Sequence, residues 1–243
     1  MLDPWLLLGA FIFLAYTLEA MTGFGSVVIA LSLGALVLPI KDMLPVLVAL
    51  NIFMSGYLTW KLRQHIDRRL LLGLILPCMA LGTVAGVVLS PWLSDASLKQ
   101  GFGVLIVWFA VRELLRMGQN KAAAQPPLWM TRLQIGAAGI THGLFASGGP
   151  LLVYALAATE LDKARFRATL VCVWFSLNSL LTLAFLAKGS LTPALPHIAA
   201  YLPLLAVGVL LGERLHHRVA EQHFRIGIYL LLCVTGALLA WRA

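Results

Sequence analysis

Two short glycine-rich stretches hold the residue types best suited to chemistry. The first reads Glu19-Ala-Met-Thr-Gly-Phe-Gly-Ser26 and the second Thr141-His-Gly-Leu-Phe-Ala-Ser-Gly-Gly-Pro150. In the first, Thr22, Gly23, Phe24, Gly25 and Ser26 combine glycines, where a backbone turns sharply, with two hydroxyls. In the second, Ser147, Gly148 and Gly149 repeat the combination, and Pro150 stands where the first turn of a helix needs no N–H. A helix that starts at either stretch presents unpaired N–H groups and the positive end of its dipole. Such an end holds a small oxyanion without help from lysine or arginine. The chemistry spelled here is recognition of an anion, not the making or breaking of bonds.

Other polar residues accompany the two stretches. Glu19 lies four residues before Gly23, and His142 six before Gly148. An ionisable side chain at membrane depth is a functional hypothesis by default. Each could carry a coupling proton; Glu19 could instead cup the backbone of its own turn, or sit at the membrane interface. Asn51 and Ser55 share a helix face, and Ser176, Asn178 and Ser179 occupy the middle of a later apolar segment. Amides and hydroxyls so placed either line a cavity or bond a neighbouring helix; the sequence favours a lining role for Asn51 and Asn178.

Enzyme signatures are missing. There is no phosphate-binding G-x-x-x-x-G-K-[ST] run, and no strand precedes Gly-Phe-Gly to build a dinucleotide site. His216, His217 and His223 lack H-E-x-x-H spacing and sit in a basic loop. No Ser, His and Asp fall at one depth. Cys78, Cys172 and Cys233 are scattered, without a disulfide or metal pattern. The expectation is a protein that is not an enzyme and uses no cofactor and no metal.

The elements that position these residues follow from composition. Of 243 residues, 60% are hydrophobic and 12% charged, against about 45–50% and about 25% in soluble domains. That excess excludes a disordered chain and points to an all-α polytopic membrane protein. The net charge of +8 is then the signature of cytoplasmic loops rather than of nucleic-acid binding. Asp3 occupies the place of a basic leader region and no A-x-A site follows, so no cleavable signal is expected.

Windows Met43–Trp60, Leu70–Leu89, Leu98–Leu115, Arg167–Ala187, His197–Leu211 and Phe224–Trp241 read as spans. Trp5–Met21 with Phe24–Leu38, and Leu133–Phe145 with Leu151–Thr159, read as two helical hairpins, re-entrant or fully crossing. Their tips are the glycine-rich stretches. This gives 8–10 membrane segments. Each hairpin returns the chain to the side it left, so fourteen of the eighteen Lys and Arg fall on one face. The positive-inside rule makes that face cytoplasmic and sets both chain ends outside, in a cell inner membrane.

Residues 117–131, polar and carrying Pro126-Pro127, read as a cytoplasmic linker between a first repeat, 1–116, and a second, 132–243. Gly82-x-x-x-Gly86 recurs as Gly208-x-x-x-Gly212 at an offset of 126, as does Gly101 in Gly227, while Gly25 matches Gly148 at 123. Each half reads as a hairpin plus three helices. An odd number of crossings sends the second half in from the opposite face, as two inverted-topology repeats, and the two tips are expected to meet near the midplane. The Gly-x-x-x-Gly helices are expected to pack against each other or against the hairpins.

Thr22-Gly-Phe-Gly-Ser26, the later Gly143-Leu144-Phe145 with Gly148-Gly149, and a Gly-x-x-x-Gly helix closing each half resemble the TauE/SafE family, also called the 4-toluene sulfonate uptake permease family. The resemblance runs over nearly the whole chain. It implies a transporter of sulfite, organosulfonates or related sulfur anions, with Gly23, Phe24, Gly25 and Ser26, and Ser147, Gly148, Gly149 and Pro150, in the substrate-binding hairpins. Ser26 stands where members commonly carry another glycine, and Ser147 and Pro150 flank the second run. These departures bear on which anion is taken. The reading is a secondary transporter working by alternating access, with a proton as coupling ion. An anion channel and a non-transporting assembly subunit are its rivals. Its partners are a small anionic substrate and the lipid bilayer, not nucleic acid; a homo-oligomer is left open.

Overall fold

A computed structural model describes residues 3–22, 25–117, 127–156, 161–215 and 221–242. Every regular element among them is helical, as the composition demands. The helices are α1 (Pro4–Thr22), α2 (Ser26–Gly34), α3 (Ile40–Lys61), α4 (Arg68–Leu70), α5 (Leu76–Leu89), α6 (Asp95–Arg116), α7 (Leu128–Phe145), α8 (Gly149–Ala155), α9 (Lys163–Ala187), α10 (Leu195–Leu215) and α11 (Glu221–Arg242). α4 continues through a π-helical stretch, Leu71–Ile75, into α5. Pro77 opens α5, and the widened turn before it absorbs the hydrogen bond that proline cannot donate.

Four helices are long and apolar enough to cross a membrane: Ile40–Lys61, Arg68–Trp92, Ala164–Ala187 and Thr192–Leu215. Pro4–Ala20 and Ile226–Trp241 are shorter apolar helices. Helix α6 is 22 residues long but carries Lys99, Arg112 and Glu113 within the expected Leu98–Leu115 window. Leu81, Val84, Val88, Val207, Leu210 and Trp241 are exposed. Such apolar flanks suit hydrocarbon rather than water. The protein is an all-α polytopic membrane protein.

Several boundaries differ from the sequence expectation. α3 begins at Ile40, so Pro45 lies inside it rather than at its start; Asp95 accepts the Ile40 N–H at 2.9 Å and extends the helix upstream. α7 begins at Leu128, after the extended Pro127, so residues 128–131 are helix where a linker was expected. Residues 118–126 of that linker lie outside the described residues. α2 spans nine residues and α8 seven, about 13 and 10 Å of helix, so neither crosses about 30 Å of hydrocarbon.

The helices gather into two compact units. One comprises Met1–Leu50, Leu93–Asn120 and Ser190–Ala243; the other comprises Asn51–Trp92 and Lys121–Gly189. In the first, α1 packs on α10 and on α2, and α6 pairs with α11. A Cβ on Gly208 or Gly212 would run into Phe13, Thr17 or Ala20 of α1. The α6–α11 pair closes through Gly103 and Gly236, each of which would press a Cβ onto the other's carbonyl, and through an edge-on Phe109–Tyr229 contact at 5.9 Å.

In the second unit, α5 packs along α7. A Cβ on Gly82 would lie 2.9 Å from Gly139 Cα, and one on Gly86 the same distance from Gly143 Cα. Ile75, Met79, Ile135, Ala138, Leu152, Val173 and Leu177 form its apolar core. Both Gly-x-x-x-Gly pairs therefore seat the first helix of a hairpin, one of the two packings their spacing anticipates. By contrast, a Cβ on Gly227 would meet nothing within 4 Å, so no packing accounts for its match with Gly101. The pairing of Gly103 with Gly236 is what the sequence conceals.

Candidate functional site

Both hairpins break at a left-handed residue. Gly25, at φ 104 and ψ 7, caps α2. A φ of that sign is where only glycine is free of Cβ strain. Gly23 and Phe24 lie outside the described residues. So does the Thr22 side chain, although Thr22 itself ends α1. In the second hairpin the left-handed position is Ala146, at φ 50, which ends α7. It carries a Cβ in a conformation that costs about 1–2 kcal/mol, a strain that glycine avoids at Gly25. Ser147 and Gly148 follow, then Gly149 and Pro150 begin α8.

The first tip is closed on itself. Glu19 is 6% exposed, and its carboxylate accepts the Ser26 N–H at 2.8 Å. One of the free amides at the start of α2 is thus already bonded, by the residue that was a candidate proton carrier. Of the roles open to Glu19, the structure displays the backbone cap.

The second tip differs. His142 is 0% exposed, and Ser147 is 2% exposed. Both ring nitrogens of His142 and the Ser147 hydroxyl have no hydrogen-bond partner among the described residues. Gly148 packs directly on His142, since a Cβ there would be 3.0 Å from His142 Cβ and 2.8 Å from the Met79 methyl. Trp174 of α9 stacks on the imidazole with centroids 5.8 Å apart and planes 23° apart. Thr83 lies on the same seam, its carbonyl opposite Gly143, and its buried hydroxyl is also unpartnered among the described residues. Sequence reading passed over Thr83; the available signal was a hydroxyl inside an otherwise apolar Gly-x-x-x-Gly run.

Asn178 is one helical turn beyond Trp174, on the same face of α9. Its Nδ2 donates to Asn51 Oδ1 at 2.7 Å, and both residues are buried. This is the helix-bonding alternative rather than a simple cavity lining. The Asn178 carbonyl oxygen has no partner among the described residues. Ser55, Ser176 and Ser179 turn their hydroxyls back onto the carbonyls of Asn51, Cys172 and Phe175 in their own helices. They are therefore spent locally. A double-mutant cycle on Asn51→Leu and Asn178→Leu, read by thermal unfolding in detergent, should return a coupling of about 1 kcal/mol; strictly additive losses would show that the amide pair is not a unit.

No group of His, Cys, Asp and Glu among the described residues could hold a metal ion.

Apolar outward flanks, helices of membrane-spanning length and a hairpin broken at the buried Ala146 and Ser147 define a polytopic membrane protein. The chain belongs to the sulfite exporter TauE/SafE family, whose model matches residues 8–239. It is also 30% identical over 176 residues to a Comamonas testosteroni protein named "Probable inner membrane transporter protein TsaS", covering 70% of this chain and 73% of that one. No solved structure matches it.

Proposed function

We propose that this chain is a secondary transporter of a small sulfur-containing anion, sulfite or an organosulfonate, working by alternating access. The observation that carries the reading is unwound backbone at buried depth. Ala146 and Ser147 interrupt the second hairpin while shielded from solvent. Non-helical backbone at membrane depth is tolerated only when buried in protein or lining a cavity, and unsatisfied groups beside it are costly unless a ligand meets them. Of the two candidates for a coupling proton, Glu19 is engaged as a cap, so that role falls to His142. The loops carrying fourteen of the eighteen Lys and Arg face the cytoplasm on this reading.

Packing supports the duplication of 1–116 in 132–243. Gly82 meets Gly136 and Ile140, and Gly86 meets Ile140 and Gly143; Gly208 meets Phe13 and Thr17, and Gly212 meets Thr17 and Ala20. Shifting the first pair of glycines by 126 and their partners by 123 turns one set of contacts into the other.

Reconstituted protein should exchange labelled sulfite or an aryl sulfonate across proteoliposomes, with saturation and trans-stimulation. Flux no greater than in protein-free vesicles, over sulfite, sulfate, thiosulfate, taurine and aryl sulfonates, would defeat the proposal. Non-saturating flux without trans-stimulation would replace the carrier with a channel.

A further inference from the structure

We infer that the two hairpin tips are not equivalent: the oxyanion headgroup is seated at the second, by Ser147 and His142 with Trp174 behind the imidazole, while Glu19 keeps the first closed to anions. This rests on the sulfur-anion transporter reading above and assigns its headgroup.

Glu19 and His142 are counterparts, 123 residues apart, the same offset that relates Gly25 to Gly148. Equivalent positions thus hold an acidic side chain in one hairpin and an imidazole in the other. The difference sets what each tip can bind. The Glu19 oxygen takes the Ser26 amide at 2.8 Å. An incoming oxyanion would have to displace an acceptor from that donor and lie beside a carboxylate. The first tip thus supplies its own anionic group.

His142 makes no such bond. The Ala146 N–H donates to the His142 main-chain carbonyl at 2.7 Å, not to the ring. Two ring nitrogens and the Ser147 hydroxyl remain unpartnered among the described residues, in side chains that are wholly or almost wholly buried. Native proteins rarely bury such groups without a partner. An imidazole N–H and a serine O–H are donors, and the oxygens of sulfite or of a sulfonate are acceptors. Trp174, stacked on the ring, is a positioning residue that restrains the imidazole plane without touching the headgroup.

The test uses the full chain in nanodiscs, titrated calorimetrically with sulfite and, separately, with 4-toluenesulfonate. S147A and H142F should each weaken both probes about ten-fold or more, the usual loss for a hydrogen bond to a charged group. E19Q should leave affinity unchanged. W174A should weaken binding and W174F, which keeps a ring for the stack, should restore it. Equal losses from E19Q and S147A, or wild-type affinity in either S147A or H142F, would overturn the assignment. Should S147A fail to fold, S147C alkylation read site by site by mass spectrometry replaces it: either probe should protect the thiol, and no protection overturns the inference. Wild-type protein that binds neither probe overturns the inference together with the transporter reading. Wild-type binding with an indifferent Ser147 overturns the inference alone.

Discussion

Leucine in place of Gly86 should abolish the folded state, lowering stability by at least about 3 kcal/mol, at the upper end of overpacking costs. At this glycine the neighbour is backbone, not a flexible side chain. A Cβ would lie 2.9 Å from Gly143 Cα and 3.1 Å from its carbonyl carbon, with the Ile140 carbonyl closer still. Neither helix can yield locally, so α5 and α7 must separate along the seam. Small residues matter here because lipid tails give two helices little reason to associate beyond close packing. Gly212→Leu should do the same in the other unit, where Thr17 and Ala20 are the obstacles. Gly227→Leu, with nothing within 4 Å of its Cβ, is the control. Thermal unfolding and size-exclusion profiles in detergent decide the matter; a Gly86→Leu protein as stable as Gly227→Leu would show that the seam is not the close contact described.

Gly25→Leu should lower transport about ten-fold or more while leaving the protein folded, because left-handed strain of about 1–3 kcal/mol converts to that range. Space is not the obstacle, since a Cβ at Gly25 would meet only Ile29, at 3.7 Å. The obstacle is φ 104. Relaxing it moves the start of α2 and takes the Ser26 N–H off the Glu19 carboxylate, leaving a buried acid without its amide. Gly189 provides an internal control: it also has positive φ, 73, with nothing within 4 Å, but lies in the turn after α9. Gly189→Leu should carry a similar strain without the loss of flux. Equal flux losses from the two substitutions would remove the first hairpin from the transport cycle.

Local signals in this sequence map faithfully onto local structure. Glycine and serine clusters break the hairpins, Gly-x-x-x-Gly pairs make seams, and apolar windows become long helices. What the sequence hid was long-range. Nothing in the two segments says that Asn178 meets Asn51 rather than a cavity, or that Gly103 meets Gly236. Those contacts depend on which helices the fold sets side by side. Glu19 was legible as an ionisable residue at depth, but its bond to Ser26 depends on how the left-handed Gly25 sets the start of α2. His142 looked like Glu19's companion, yet that its ring packs on Trp174 without a hydrogen-bond partner among the described residues depends on where the fold sets α9. The compact units were likewise illegible, because each is assembled from segments far apart in the chain.

The α1–α10 seam also constrains how the protein can be made. α1 ends at Thr22 and α10 at Leu215, so the partner of the first helix is complete roughly 190 residues later, about 10–40 s at ~5–20 residues per second of translation. For that interval the nascent α1 has α2 but not the α10 seam, and the insertion machinery or surrounding lipid must shelter its remaining face. A chain cut short before residue 208 would leave its opening helix without that seam, a target for membrane quality-control proteases.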